Sequence, residues 1–390
     1  MSAKNKAAVR FFSQIGQDYG LIIVLFSIVI FFQIVTGGVV FRPLNVTNII
    51  LQNSYIMVLA VGMLLCILTG NIDLSVGSVA GFVSAISGIL MINNGWAPVP
   101  TVIVCLAIGA VVGVWNGFWI AYVKIPPFIV TLAGQLIFRG LTLGILQGRL
   151  IGPYPTNFQM ISTGFLPDPF GGQGVHVLTL LVGVLGMGFY TFVEVSKYKK
   201  QKSYGANSGS LIVFVVVLIL TNAAIGAIAF LLARYQGIPN VLVLLAVLIF
   251  SYTFMTSRTT VGRRIYAFGG NALAARLSGV KTQRVFFGVY VNMSVLAAMA
   301  GLVFAARLNA AMPRTGTGFE LDAIASCYIG GASAKGGIGT IPGAIVGALI
   351  MGIMNNGMSI MGLGVDWQQA IKGLVLILAV AIDIISRRNK

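Results

Sequence analysis

Negative charge is what this chain has least of. Eight of its 390 residues are Asp or Glu, against 25 Lys and Arg, and it has a single histidine, His176. One histidine excludes a His-built metal centre or a Ser-His-Asp triad within the chain. Cysteine is scarce too: Cys66, Cys105 and Cys327 are odd in number, form no CxxC, and lie in or beside apolar segments. They are expected to be inert small hydrophobes in helix packing. No GxxxxGK[ST] phosphate loop occurs, so any ATP hydrolysis that serves this chain belongs to another one. Polar stretches long enough for a soluble domain are missing.

What is present in abundance is apolar. Hydrophobic residues make up 57% of the chain and charged ones 8%, with a mean hydropathy of +0.96. No soluble core needs that, and the class is an integral membrane protein. Long apolar runs separated by basic loops argue for helices, and the short alternation of an outer-membrane barrel is absent. The formal net charge of +17 resembles a nucleic-acid signal, but these cations gather in loops on one side, which excludes nucleic acid as the partner and makes the lipid bilayer the surroundings.

The fold class is therefore all-α and polytopic, a single membrane domain over residues 1–390. It has about 10–12 spans, read at 20–37, 48–69, 73–92, 100–122, 127–147, 176–196, 210–233, 238–257, 285–306, 321–334, 340–361 and 367–386. Alternating these from an inside N-terminus leaves eighteen Lys and Arg inside, Lys4, Lys6 and Arg10 among them, and five outside: Arg42, Arg149, Arg234, Arg307 and Arg314. Both termini are thus expected in the cytoplasm. The first span has no A-x-A-like cleavage site after it and reads as uncleaved. The basic cluster KYKKQK at 197–202 reads as an inside loop with affinity for anionic lipid. The spans on either side of it, about 176–233, are so evenly apolar that they are expected at the periphery.

Two segments are not ordinary spans. TGNIDLSVGS, residues 69–78, interrupts two apolar runs: Gly70 ends one helix and Asp73 or Ser75 caps the next. The second is the glycine-rich stretch 329–357, broken by Gly-Gly pairs and Pro342, with Gly343, Gly347 and Gly352 beyond. Such breaks point to discontinuous or re-entrant helices around a pathway, expected on opposite ends of two related halves. Gly70, Asn71, Asp73, Ser75, Gly77, Asn355 and Asn356 are the candidate pathway residues. Asp73 serves as a cap where the helix restarts, as a substrate or ion contact, or as both at once. Arg139 serves as a structural partner or a lining group, and Lys372 sits near a span end. Asn116, Gln135 and Asn292 suit either a hydroxyl-rich solute or helix–helix hydrogen bonding.

The 258–284 loop is basic, free of acid and punctuated by glycine. Asn271, after Gly269 and Gly270, reads as the N-cap of a short helix that Gly279 stops. A membrane protein that holds such a helix out of the bilayer is offering it to a partner. Gly269, Gly270, Asn271, Ala274, Ala275, Ser278 and Gly279 are the candidate coupling residues.

TGNIDLSVGS resembles the TGGIDLSVGS motif of ribose/xylose/galactose-type ABC permeases. IPPFIVTLAGQLIFRGLTL at 125–143, GRRIYAFGGNALAARLSGV at 262–280 and the glycine-rich 329–357 stretch resemble further parts of that family, in order, over about 50–386. The resemblance implies a type II importer-like membrane subunit that translocates a monosaccharide across the inner membrane. It implies cytoplasmic ATPase subunits, a periplasmic or extracellular sugar-binding protein, and a second permease subunit, with ATP and Mg on the partner and no cofactor on this chain. The two further spans around the 197–202 loop resemble the xylose and multiple-monosaccharide members more than the ribose ones. An ion-coupled secondary transporter, or the same machine carrying nucleosides or amino acids, remains the alternative.

Overall fold

The computed structural model describes residues 20–172, 174–203 and 211–388. Lys4, Lys6, Arg10 and Lys390, expected inside, lie outside these. The chain forms α1 (Gly20–Val35), α2 (Pro43–Leu68), α3 (Val76–Asn93, its last turn a π-helix), α4 (Pro98–Ala121), α5 (Pro127–Leu146) and the short α6 (Thr156–Thr163). Then come α7 (Val177–Ser203), α8 (Leu211–Ala233), α9 (Asn240–Arg258), α10 (Thr260–Gly270) and α11 (Ala272–Leu277). The last four are α12 (Thr282–Leu308), α13 (Phe319–Ile329), α14 (Ile341–Ile360) and α15 (Val365–Arg388). Each of the twelve apolar segments read from the sequence overlaps one of these helices. Among the described residues nine are long and apolar enough to cross a bilayer. Extended pairing is confined to two isolated bridges, Ile151 with Ala311 and Phe165 with Pro239.

Proline sets several of the starts. Pro43, Pro98, Pro127 and Pro342 occupy the first turn of α2, α4, α5 and α14, where the missing N–H costs nothing. Small and polar residues then decide which helices go inside. Gly62 of α2 packs on Met293 and Leu296 of α12, Gly113 of α4 on Val291, and Gly352 of α14 on Asn53 of α2. These helices approach closely because a glycine faces the neighbour. The result is a centre of α2, α3, α12 and α14, with α7, α8 and α9 largely exposed. The α7–α8 hairpin is peripheral, as its even apolarity predicts. It is closed by its own contacts, Gly183 against Ala229, Tyr198 stacked on Phe214 at 4.4 Å and Asn222 bonded to Thr191 at 3.0 Å.

α2 and α12 run antiparallel: Gly62 meets Met293 and Tyr55 meets Phe304. The break at 69–75 therefore starts from the Leu68 end of the bundle, and the 309–318 segment starts from the opposite end. The 330–340 turn returns to the Leu68 end, where the Gly337 N–H donates to the Leu68 carbonyl at 2.9 Å. The expectation that the two glycine-rich breaks lie on opposite ends is thereby corrected. They are neighbours, and the counterpart at the other end is the 309–318 dip between α12 and α13. That dip folds back into the bundle, so that Phe319 packs on Tyr55 at 4.0 Å, midway along α2. α13 has 11 residues, which at 1.5 Å each crosses about half of a bilayer core.

The turn-rich far-end loop is tied down by Asp168. Its carboxylate accepts from the N–H groups of Val177 at 2.7 Å and Leu178 at 3.4 Å, at the start of α7, and of Phe170 at 3.1 Å. Desolvation works against the charged form, but those three donors and the nearby His176 outweigh it and hold the carboxyl below the usual range. His176 bridges the Leu166 carbonyl at 3.0 Å and the Thr179 hydroxyl at 2.9 Å. All three cysteines are free and buried, and among the described residues no cluster could hold a metal ion.

Candidate translocation and coupling sites

α10 and α11 project from the Leu68 end. Thr259 caps α10 through a 3.3 Å bond from the Gly262 N–H, and Asn271 caps α11 through a 2.9 Å bond from Ala274. Gly279 stops α11: its N–H reaches the Arg276 carbonyl and that of Val280 reaches Ala275, both at 3.0 Å. This is a Schellman ending. Ala274, Ser278, Gly270 and Gly279 face solvent. Ala275 does not. It is 5% exposed and seats α11 on the body. The sequence reading passed over Leu273 and Leu277, 67% and 81% exposed, although two apolar side chains on one capped helix are a signal of something to be covered.

Gly269 is likewise inside a contact. A β-carbon there would overlap the Leu68 carbonyl oxygen and crowd the Gly337 nitrogen. Gly336 lies against the Gly70 nitrogen and the Gly269 carbonyl, and Gly337 against Gly270. The Tyr266 hydroxyl of α10 adds a 2.6 Å bond to the Gly339 carbonyl. At these glycines α10, the first break and the 330–340 turn thus meet backbone to backbone. A displacement of α10 has no soft layer in which to be absorbed.

The first break is organised by Asp73. Gly70, at φ +76°, ends α2, and the Asn71 N–H closes the turn on Cys66 at 3.2 Å. Asp73 Oδ1 accepts the Ser75 N–H at 2.8 Å and the Ser75 hydroxyl at 2.6 Å, and Asn116 of α4 donates to that hydroxyl at 3.2 Å. Asp73 and Ser75 are fully buried, so in this state they shape the turn into α3. Asn71 is half-buried and lines a cavity of about 300 Å³ with Gly70, Ile72, Pro127, Phe128 and Tyr328.

The break and the dip cross at Gly77, whose α-carbon faces the Gly316 carbonyl and the Glu320 carboxylate. Arg139 of α5 holds the dip by donating to the Thr315 carbonyl at 3.0 Å and that of Pro313 at 3.4 Å. Beside it Gln135 donates to Glu320 Oε1 at 3.2 Å, and Lys372 pairs with Asp322 at 2.9 Å. Glu320 and Asp322 are the acidic residues that sequence reasoning missed, because 309–318 looked like an external loop. A signal existed: Thr317-Gly318-Phe319-Glu320-Leu321 echoes Thr69-Gly70 with Asp73-Leu74 after it, and Gly318 at φ +79° repeats Gly70. Asn356 is placed elsewhere. It exchanges two amide bonds with Asn45 of α2, at 2.9 and 3.0 Å, in a closed buried pair, while Asn355 is half-buried beside it. Asn292 accepts from the Tyr252 hydroxyl.

One face of α5 carries Phe128, Ile129, Leu132, Leu136, Ile137 and Leu141, all exposed, beside the Gln135–Glu320 contact. An apolar face open to its surroundings thus lies next to a polar crossing.

Residues 45–380 match the family described as "Branched-chain amino acid transport system / permease component". The chain is 39% identical over 374 residues to the xylose transport system permease protein XylH of Escherichia coli (strain K12), covering 96% of this chain and 93% of that one. It is 37% identical over 373 residues to the XylH of Haemophilus influenzae, covering 96% and 97%. To the ribose import permease protein RbsC of Escherichia coli (strain K12) it is 32% identical over 339 residues, covering 87% and 85%. No solved structure matches it.

Proposed function

The chain belongs to the family described as the branched-chain amino acid transport system permease component, as a permease subunit of a monosaccharide ABC importer, and we propose that its cargo is a xylose- or ribose-like sugar. It is a multi-pass protein of the inner membrane, and the protein does no covalent chemistry itself. The observation that carries the cargo reading is the near full-length similarity to permeases named for xylose, together with the similarity to one named for ribose.

The rest of the machine is our reading of the geometry. α11 is the docking element for a cytoplasmic ATPase, which supplies the ATP and Mg site; Leu273, Leu277, Ala274 and Ser278 are its contact surface. The far end receives a sugar-binding protein. A second copy of the chain covers the α5 face, and the passage runs between the copies past Gln135 and Glu320. ATPase closure moves α11 and α10, and the glycine contacts carry that motion to the first break and the 330–340 turn, so access alternates. Both termini are then cytoplasmic, with α10 and α11. Protein reconstituted with its co-purifying ATPase and binding protein tests this. ATP-dependent uptake of labelled xylose or ribose is expected. Leu273→Asp with Leu277→Asp should abolish uptake about a hundredfold or more while leaving the permease folded, since buried charge at an apolar contact costs about 3 kcal/mol. Uptake driven by an ion gradient without any ATPase defeats the reading.

A further inference from the structure

A cavity of about 690 Å³ opens beside α11, between the α4–α5 turn and the start of α12. Four cations line it, Lys124, Arg276, Lys281 and Arg284, and no acidic residue does. None of the four takes part in an ion pair among the described residues. Like charges gathered around one concavity repel unless an anion sits among them. The start of α12 adds to the field, because Thr282 and Gln283 lie on the wall and Lys281, at the N-cap, makes no side-chain cap. The remaining wall is apolar and includes Ile120, Ile125, Pro126, Phe268 and Phe286.

Depth identifies the class of anion. Tyr122 lines the cavity, and Trp115, Phe118 and Trp119 precede it in edge-on contact near the end of α4. Such an aromatic group marks the headgroup level of a bilayer. An acidic side chain from a partner protein would satisfy the cations and leave the apolar wall against water. A molecule with a phosphate head and acyl chains satisfies both.

We propose that this cavity is a binding site for an anionic phospholipid from the leaflet on the coupling-loop side. The phosphate sits among Arg276, Lys281, Arg284 and Lys124, and the chains run along Ile120, Ile125 and Phe286. The lipid then ties the α4–α5 turn to α10 and α11, so that bilayer composition sets how firmly the coupling helix is seated. This goes beyond the transport reading and stands without it.

The test uses the purified full chain in detergent, without ATPase, titrated with dioctanoyl phosphatidylglycerol and followed by thermal unfolding. Phosphatidylglycerol should raise the midpoint saturably, while dioctanoyl phosphatidylcholine and inorganic phosphate leave it in place. Arg276→Gln with Lys281→Gln should need about 25-fold more lipid for the same shift, about fivefold for each cation removed. Arg42→Gln with Arg149→Gln, two exposed cations at the far end, should respond like the wild type. If the first variant fails to fold, Lys124→Gln with Arg284→Gln carries the same expectation. An equal loss in the far-end control, an unchanged response in the cavity variant, or no stabilisation by phosphatidylglycerol overturns the proposal. Inorganic phosphate stabilising as well as the lipid reassigns the site to free anions and overturns it too.

Discussion

α2 and α8 are both long, apolar and able to span a bilayer, yet 83% of the residues in the most apolar stretch of α2 are buried and none in that of α8. Apolarity does not explain the difference, because α8 is the more apolar of the two. α2 carries Asn45, Thr47, Asn53, Ser54 and Gly62, all facing neighbours, whereas residues 211–220 of α8 have no polar side chain. In a bilayer lipid tails solvate leucine as well as a helix does, so hydrophobicity places a helix in the membrane, and small or polar residues place it in the bundle.

That contrast is easiest to break at glycine. Gly269→Val pushes a branched side chain into the Leu68 carbonyl and should cost about 3 kcal/mol or more, or prevent folding. Gly188→Val in α7, where nothing lies within 4 Å of the added carbon, should change stability by no more than about 0.5 kcal/mol. Denaturant titration in mild detergent compares them, and equal losses would end the distinction between centre and rim.

A smaller effect sharpens the comparison within the centre. Asp322→Ala leaves Lys372 without its partner and should cost about 2 kcal/mol, discounted from the fully buried case because the lysine is about a quarter exposed. Adding Lys372→Met should restore most of that loss. Failure of the second substitution to restore it would show that Asp322 acts by something other than the pair.

The smallest effect concerns the rim. The Asp168 carboxyl lies below its usual range in the folded chain, so its tie to α7 is fully present above the ordinary carboxylate pKa of about 4 and is lost as the pH falls below it. With the intrinsic pH dependence of exchange divided out, the protection of Val177 and Leu178 should therefore fall on acidification while the centre of α2 stays protected. In Asp168→Asn the protection of those two amides should no longer fall at low pH.

Much of this was legible beforehand. The twelve apolar segments, the capped α11, its stop at Gly279 and the end of α2 at Gly70 follow from periodicity and from residues with one local use. Local chemistry also misled. Ala275 reads like its neighbour Ala274, and only the packing of α11 on the body separates a buried methyl from an exposed one. Asn356 reads as a free amide until Asn45, far away in sequence, comes to meet it. The 309–318 dip was missed because it has the arginine, proline and glycine of an external loop, while its descent depends on Gly77 and Arg139, which belong to other helices.

The glycine contacts have a consequence for how the protein is made. Gly70 and Leu68 are synthesised early, Gly269 much later, and Gly337 later still. Gly269 can meet the Leu68 carbonyl once α10 is made, but the contact is completed only when Gly337 arrives. Gly77, similarly, waits for Gly316. The early helices are therefore inserted with the first break unclosed, and α10 emerges from the ribosome before its seat is complete. A chain interrupted before residue 337 carries every spanning segment up to α12 and still lacks the Gly337 contact that completes the seat of α10 on the end of α2. Quality control that senses a loose α11 would thus be reading the completeness of the whole polypeptide from a single corner.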